Sequence, residues 1–136
     1  MKIFFKTDKD LQKKFRNFLD QNLDGFNSEV IENVKIAVNE ALQNIYRYGY
    51  KNVDGKSIEI NLIAKNTELI LDIYDEAKPC NPEEFMNKDY TPSENGQMGI
   101  GIIKKLTKSF KIFPEKHGNH TQLIFNLADI DHGIVK

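Results

Sequence analysis

The sequence has one cysteine, no tryptophan, two arginines and four prolines among 136 residues. The single Cys80 cannot close an internal disulfide, so the fold must rest on its core, as suits a reducing cytosol. Neither charge is in excess: 19 basic and 20 acidic side chains leave a net −1, without the basic footprint of a direct nucleic-acid binder. No run approaches the roughly 18 apolar residues that cross a bilayer. The opening MKIFFKTDKD is charged too early for a signal peptide. Repeats, low-complexity tracts and Pro/Gly-rich linkers are missing too, so the expected organisation is one domain over residues 1–136. What is present is ordinary globular composition, 40% hydrophobic and 29% charged, which excludes disorder as the dominant state.

Hydrophobic spacing predicts the elements. Ile3–Lys6 reads as a short strand, and Asp8 as the cap of a helix carrying Leu11, Phe15, Phe18 and Leu19 that ends before Gly25. Ser28 is placed to cap a second helix, whose stripe runs through Val34, Ala37, Val38, Ala41, Ile45 and Tyr48 and closes near Gly49. Ser57–Ala64 and Glu68–Tyr74 alternate as strands around a Lys65-Asn66-Thr67 turn. A polar stretch from Glu76 to Gln97 has no period and reads as a loop of functional length. Gly99–Lys108 then predicts a helix, and Ser109–Phe113 and Thr121–Leu127 predict strands around a Lys116–His120 turn. Elements in this order imply an α+β fold, a single two-layer sandwich with about three helices on one face of a mostly antiparallel sheet.

Four blocks hold residue types that chemistry uses. Glu40 and Asn44 lie about 40° apart around the second helix, at the edge of its apolar stripe. A carboxylate beside a carboxamide offers a base and a hard oxygen for Mg²⁺, although both residues are also ordinary at helix edges. In Tyr74-Asp75-Glu76-Ala77-Lys78-Pro79, an acid leaving a strand can accept from a purine amino group, or simply end the strand in a turn. In Gly96-Gln97-Met98-Gly99-Ile100-Gly101, glycines permit close backbone approach, and the amides of a helix start attract phosphate. That spacing is neither a P-loop, which ends in Gly-Lys-Ser/Thr, nor a Rossmann turn, which follows a strand closely. Gly118-Asn119-His120-Thr121 leads into the last strand, where a hydroxyl can meet a ligand or merely begin the strand. His117 and His120 lack the acidic partners and helical spacing of a metal site.

In this order the four blocks resemble the GHKL ATPase superfamily of sensor histidine kinases, gyrase-type ATPases and anti-sigma-factor kinases. The stretch Ala37-Val38-Asn39-Glu40-Ala41-Leu42-Gln43-Asn44 looks like its N box, Asp75 falls at its D-x-G block, Gly96–Gly101 at its glycine block and Thr121 at its last threonine. With 39 residues before Glu40 there is no room for a sensor kinase's phosphoacceptor domain, and the loop after Asp75 is short for a gyrase. Tyr48-Gly49-Tyr50 and Lys78-Pro79-Cys80-Asn81-Pro82 are similar to motifs of the bacterial anti-sigma-factor serine/threonine kinases.

That resemblance implies a Bergerat-type ATP-binding fold, with ATP or ADP and Mg²⁺ as cofactors, in the cytoplasm. Glu40 would be the catalytic base and Asn44 the Mg²⁺ ligand. Asp75 and Thr121 would bind adenine, with Ala77, Gly96, Met98, Gly99 and Gly101 completing the nucleotide site. The partners implied are a sigma factor and a STAS-type antagonist phosphorylated on a hydroxyl, with no membrane and no direct nucleic acid. The sequence departs from the family at Ala77, where D-x-G has glycine, at Gln97 in place of a second glycine, and at Tyr48 in place of histidine. A methyl at Ala77 is expected to press on the nucleotide or alter the loop. These departures keep open a nucleotide-binding regulator without useful phosphotransfer. Phe4, Phe5, Phe15 and Phe18 offer area for a homodimer, although core burial is the better expectation for them.

Overall fold

A computed structural model describes residues 1–23, 25–81 and 97–127. The chain runs β1 (Lys2–Lys6), α1 (Leu11–Asn22), α2 (Ser28–Asn44), a π-helical turn (Ile45–Gly49), β2 (Ser57–Lys65), β3 (Glu68–Asp75), α3 (Gln97–Leu106), β4 (Ser109–Glu115) and β5 (Gly118–Asn126). The five strands form one antiparallel sheet in the order β1-β2-β3-β5-β4. This is the expected α+β sandwich. No helix among the described residues is long and apolar enough to cross a membrane.

Alternation sorts each strand into two faces. Ile58, Ile60 and Leu62 of β2, Leu69, Leu71 and Ile73 of β3, and Leu123 and Phe125 of β5 are buried under the helices. α2 contributes Val30, Val34, Val38 and Leu42 to that core, and α3 contributes Ile103. Phe5, Phe15 and Phe18 are buried together, with Phe5 edge-on to both partners at 6.3 and 6.2 Å, so these three serve the core as expected. Phe4 points the other way and is 66% exposed. On that outer face one cross-strand row runs Phe4, Glu59, Tyr74, His120, Phe113. Tyr74 stacks on His120 at 4.4 Å, and His120 Nε2 pairs with Asp72 Oδ1 at 2.6 Å.

Three boundaries differ from expectation for local reasons. Asn27, not Ser28, caps α2, its Oδ1 accepting from the Glu29 amide at 2.6 Å. Asp8 accepts from the Asp10 amide at 2.7 Å in a turn ahead of α1, which begins only at Leu11. The turn between the last strands shrinks to Lys116 and His117, because β5 starts three residues early at Gly118, opposite Glu115. Pro114 is tolerated because β4 is the sheet's edge.

The helical run closes at Gly49, as expected, but its last turn is not α: over Ile45–Gly49 the helix widens so that the Tyr50 amide donates to Ile45 O at 2.8 Å. The chain then reverses through Lys51 and Asn52, at φ 53° and 61°. Such π-turns are frequent at functional sites.

Candidate nucleotide site

A cavity of about 470 Å³ opens between α2 with its π-turn, α3, and the ends of β3, β4 and β5. Ala41, Ile45, Ile100, Ile103, Phe110 and Ile112 give it apolar walls, the usual setting for a planar base. Lys51 and Lys78, both exposed, add positive charge to its lining.

Asp75 lies at the floor, 6% exposed, because β3 turns its odd-numbered residues toward the helices. Its Oδ1 accepts from the Ala77 amide at 2.9 Å and from Asn119 Nδ2 at 3.2 Å. Oδ2 has no hydrogen-bond partner among the described residues. Burial pushes the carboxyl above its ordinary 3.8, and the two donors on Oδ1 oppose that shift. Thr121, 4% exposed, lines the same floor two residues along β5 from Asn119.

Gly118 makes that floor possible. A Cβ there would sit 1.9 Å from the Asp75 carbonyl oxygen, and its φ of +143° is one that side chains rarely adopt. Tyr50 fixes the chain just beyond Asp75. Its buried hydroxyl donates to Ser57 O and accepts from the Glu76 amide, both at 2.6 Å. Burial raises its pKa above 10.0.

Asn44 lines the cavity from the last turn of α2, and its Nδ2 is buried with no hydrogen-bond partner among the described residues. A buried amide left unpaired costs about 1–3 kcal/mol, so this atom marks where a ligand or a cation-bound oxygen belongs. A carboxamide presents either nitrogen or oxygen after a half-turn. Turned so, Asn44 would offer Mg²⁺ one hard neutral oxygen, with substrate phosphates and waters completing its shell. The described residues contain no group of three or more His, Cys, Asp and Glu side chains that could hold a metal alone.

Glu40 stands one turn earlier on α2 and is not among the residues lining the cavity. Its carboxylate instead packs on α3, where a Cβ at Gly99 would come within 2.5 Å of Oε2. The fold thus brings Glu40 and Gly99 together. Gly101 lies inside α3 with open space around it, rather than at the described start of that helix. Gly96 lies outside the described residues, as does the side chain of Met98.

The backbone of Ala77 is not in the positive-φ region, and its methyl faces the π-turn, 3.1 Å from where a Cβ at Gly49 would be. It is buried and is not among the described residues that line the cavity. Asn119 was missed. Alternation would have found it once Thr121 was suspected, had β5 been started early enough to put both on one face.

Residues 5–125 match the family described as "Histidine kinase-like ATPase domain". The chain is similar to the anti-sigma F factor of Clostridium acetobutylicum, 32% identical over 100 residues that cover 71% of this chain and 68% of that protein. Its fold is similar to that of the RsbU and RsbW domains of a Mycobacterium tuberculosis protein, with a TM-score of 0.63 at 16% identity over 93% of this chain. The chain spans 32% of that structure. It is also similar to the histidine kinase domain of a blue-light activated kinase from Erythrobacter litoralis, with a TM-score of 0.62 at 11% identity, covering 92% of this chain and 63% of that one.

Proposed function

Because the chain belongs to the histidine kinase-like ATPase family, in the branch that includes anti-sigma factors, we propose that it is an ATP-dependent protein serine/threonine kinase acting by partner switching. It holds a sigma factor or similar target and phosphorylates a small STAS-type antagonist in the cytoplasm. One observation carries the nucleotide part: one apolar cavity is flanked by Asp75 Oδ2 and by the buried Asn44 amide, neither of which has a hydrogen-bond partner among the described residues.

In this scheme Asp75 Oδ2 accepts from the 6-amino group of adenine, and the apolar walls take the faces of the ring. Asn44 would hold Mg²⁺, and the chemistry that the ion would supply there is neutralisation of phosphate charge. Glu40 takes the proton of the incoming serine or threonine hydroxyl as its oxygen bonds to the γ-phosphorus and ADP leaves. The work of the protein is positioning and charge neutralisation, which is most of what phosphoryl transfer requires. A homodimer is part of the proposal, with the exposed Phe4 available for it.

A second reading, a nucleotide-dependent binding regulator without useful transfer, is favoured by one observation: the Glu40 carboxylate lies against Gly99 and outside the cavity lining. Incubation with labelled ATP, Mg²⁺ and a STAS-type antagonist separates the two. Transfer abolished by Glu40→Ala supports the kinase. Tight nucleotide binding with no transfer supports the regulator, and no nucleotide binding at all refutes both.

A further inference from the structure

We propose that Asn119 sets the purine specificity of the cavity, by holding Asp75 in one orientation so that Oδ2 alone reads an amino group against an oxo group. The proposal rests on the cavity being a nucleotide site. Asn119 is 6% exposed and lines the cavity directly opposite Asp75 in the β3–β5 pairing.

Its three polar contacts are all with the parts that would touch a base. Nδ2 donates to Asp75 Oδ1 and to Lys78 O, each at 3.2 Å, and Oδ1 accepts from the Cys80 amide at 2.9 Å. One side chain therefore clamps both the carboxylate and the segment that leaves it. Together with the Ala77 amide it saturates Oδ1 and prevents the carboxylate from swinging.

A fixed, ionised Oδ2 is only an acceptor. It welcomes the 6-amino group of adenine and opposes the 6-oxo group of hypoxanthine or guanine, where two acceptors would meet. A carboxyl that takes up a proton gains an O–H donor and loses that distinction, and one that swings no longer holds its acceptor at a fixed point. The pressure toward protonation is present, since burial raises Asp75, with Glu115 adding to it. Glu76 follows Asp75 in the chain, and Lys51 and Lys78 are the cations on the cavity wall. Asn119 acts through Asp75 and is a positioning residue rather than a catalytic one.

The test compares binding of Mg-ADP and Mg-IDP by calorimetry to the wild-type chain, Asn119→Asp and Asn119→Ser. The aspartate can still accept from the Cys80 amide, but it faces Asp75 as a second carboxylate and donates nothing. The wild type should prefer ADP by roughly 30-fold, the worth of a hydrogen bond to a charged group. Both variants should drop that preference below about 5-fold.

The acidic variant adds a signature that a purely structural role would not give. Two close carboxylates share one proton more readily as pH falls, and that proton, carried by the introduced carboxyl, again donates to Asp75 Oδ1 and leaves Oδ2 an acceptor, so Asn119→Asp should regain about 10-fold in ADP affinity between about pH 8 and about pH 6, while the wild type does not. Asn119→Ser should lose selectivity without that recovery. If Asn119→Asp does not fold, the serine variant alone decides through its ADP-to-IDP ratio. A wild-type ratio in a folded variant overturns the role of Asn119 and leaves the nucleotide site standing. A wild-type chain that binds neither nucleotide overturns the site itself.

Discussion

Replacing Gly99 by alanine separates catalysis from binding. The new Cβ would stand 2.5 Å from Glu40 Oε2, whereas ordinary contact begins at 3.4 Å, so something must give by about 0.9 Å. The next-nearest atoms are also Glu40's, Cδ at 3.4 Å and Cβ at 3.6 Å, so the strain falls on one flexible side chain and not on the backbone. Glu40 will rotate away and the fold will hold. Alanine in place of a helical glycine adds up to about 1 kcal/mol of helix stability, enough to offset the cost of moving the carboxylate. The melting temperature should therefore stay level or rise slightly. Mg-ADP affinity should change by less than about 3-fold, since a change of about 0.6 kcal/mol is all that moving a group outside the cavity lining warrants. Phosphotransfer to the antagonist should fall by about 100-fold, the typical effect of misplacing a reacting group by about 1 Å. The assay is single-turnover transfer from labelled ATP beside calorimetry and a thermal melt on the same preparation. Undiminished transfer would refute the role given to Glu40, and equal losses in binding and transfer would show that Gly99 shapes the nucleotide site instead.

Other substitutions probe the floor and the cation position. Gly118→Ala sets a Cβ against the Asp75 carbonyl at 1.9 Å with φ at +143°; it should cost about 3 kcal/mol or more in urea unfolding, and a loss under about 0.5 would contradict the tight β3–β5 closure. Asp75→Asn should weaken ADP binding at least about 10-fold, with adenine selectivity lost before phosphate contacts, and equal losses for ATP and GTP would count against Asp75 as the base reader. The same substitution should raise stability at neutral pH. The raised carboxyl pKa means that the native state binds its proton more tightly than the unfolded state, so Asp75 costs stability once pH exceeds the folded pKa and that cost fades as pH falls through it toward 3.8. A melting gain for Asp75→Asn at pH 7 that vanishes in acid is the expected result, read by melts across the pH range. Asn44→Ala removes a buried unpaired amide, so the nucleotide-free protein should be no less stable, while the Mg²⁺-dependent part of ATP binding drops; unchanged Mg²⁺ dependence would remove Asn44 from the ligand set.

Local patterning made most of the fold legible. α2 and the β2–β3 hairpin could be drawn from spacing alone, because their burial follows from period 3.6 and period 2 along short stretches of chain. Glu40, Asn44, Asp75 and Thr121 stood out because their motifs keep an order along the chain. Asn119 did not, because its importance comes from a partner 44 residues away, and a strand-start asparagine is unremarkable until Asp75 is seen across from it. Gly118 was hidden for the same reason, its need for zero side chain arising from the Asp75 carbonyl. The π-turn was hidden because the spacing of Ile45 and Tyr48 reads as a continued α stripe, whereas Tyr48 is 53% exposed and it is Tyr50 that docks, between Ser57 and Glu76. The surroundings of Ala77 were hidden likewise, since its methyl packs toward Gly49 from another part of the chain.

The open face of the sheet offers an optical and magnetic window on the cavity. Asp75 and Asn119 face inward, so their chain neighbours Tyr74 and His120 face outward, and these two rings stack at 4.4 Å. Only the thickness of a peptide plane separates the stack from the floor on which a base would rest. The chain has no tryptophan to dominate its emission. The His120 ring protons lie in the ring current of Tyr74, so their NMR shifts report any tilt of β3 against β5 without a label. Occupancy on one side of the sheet can be followed from the other.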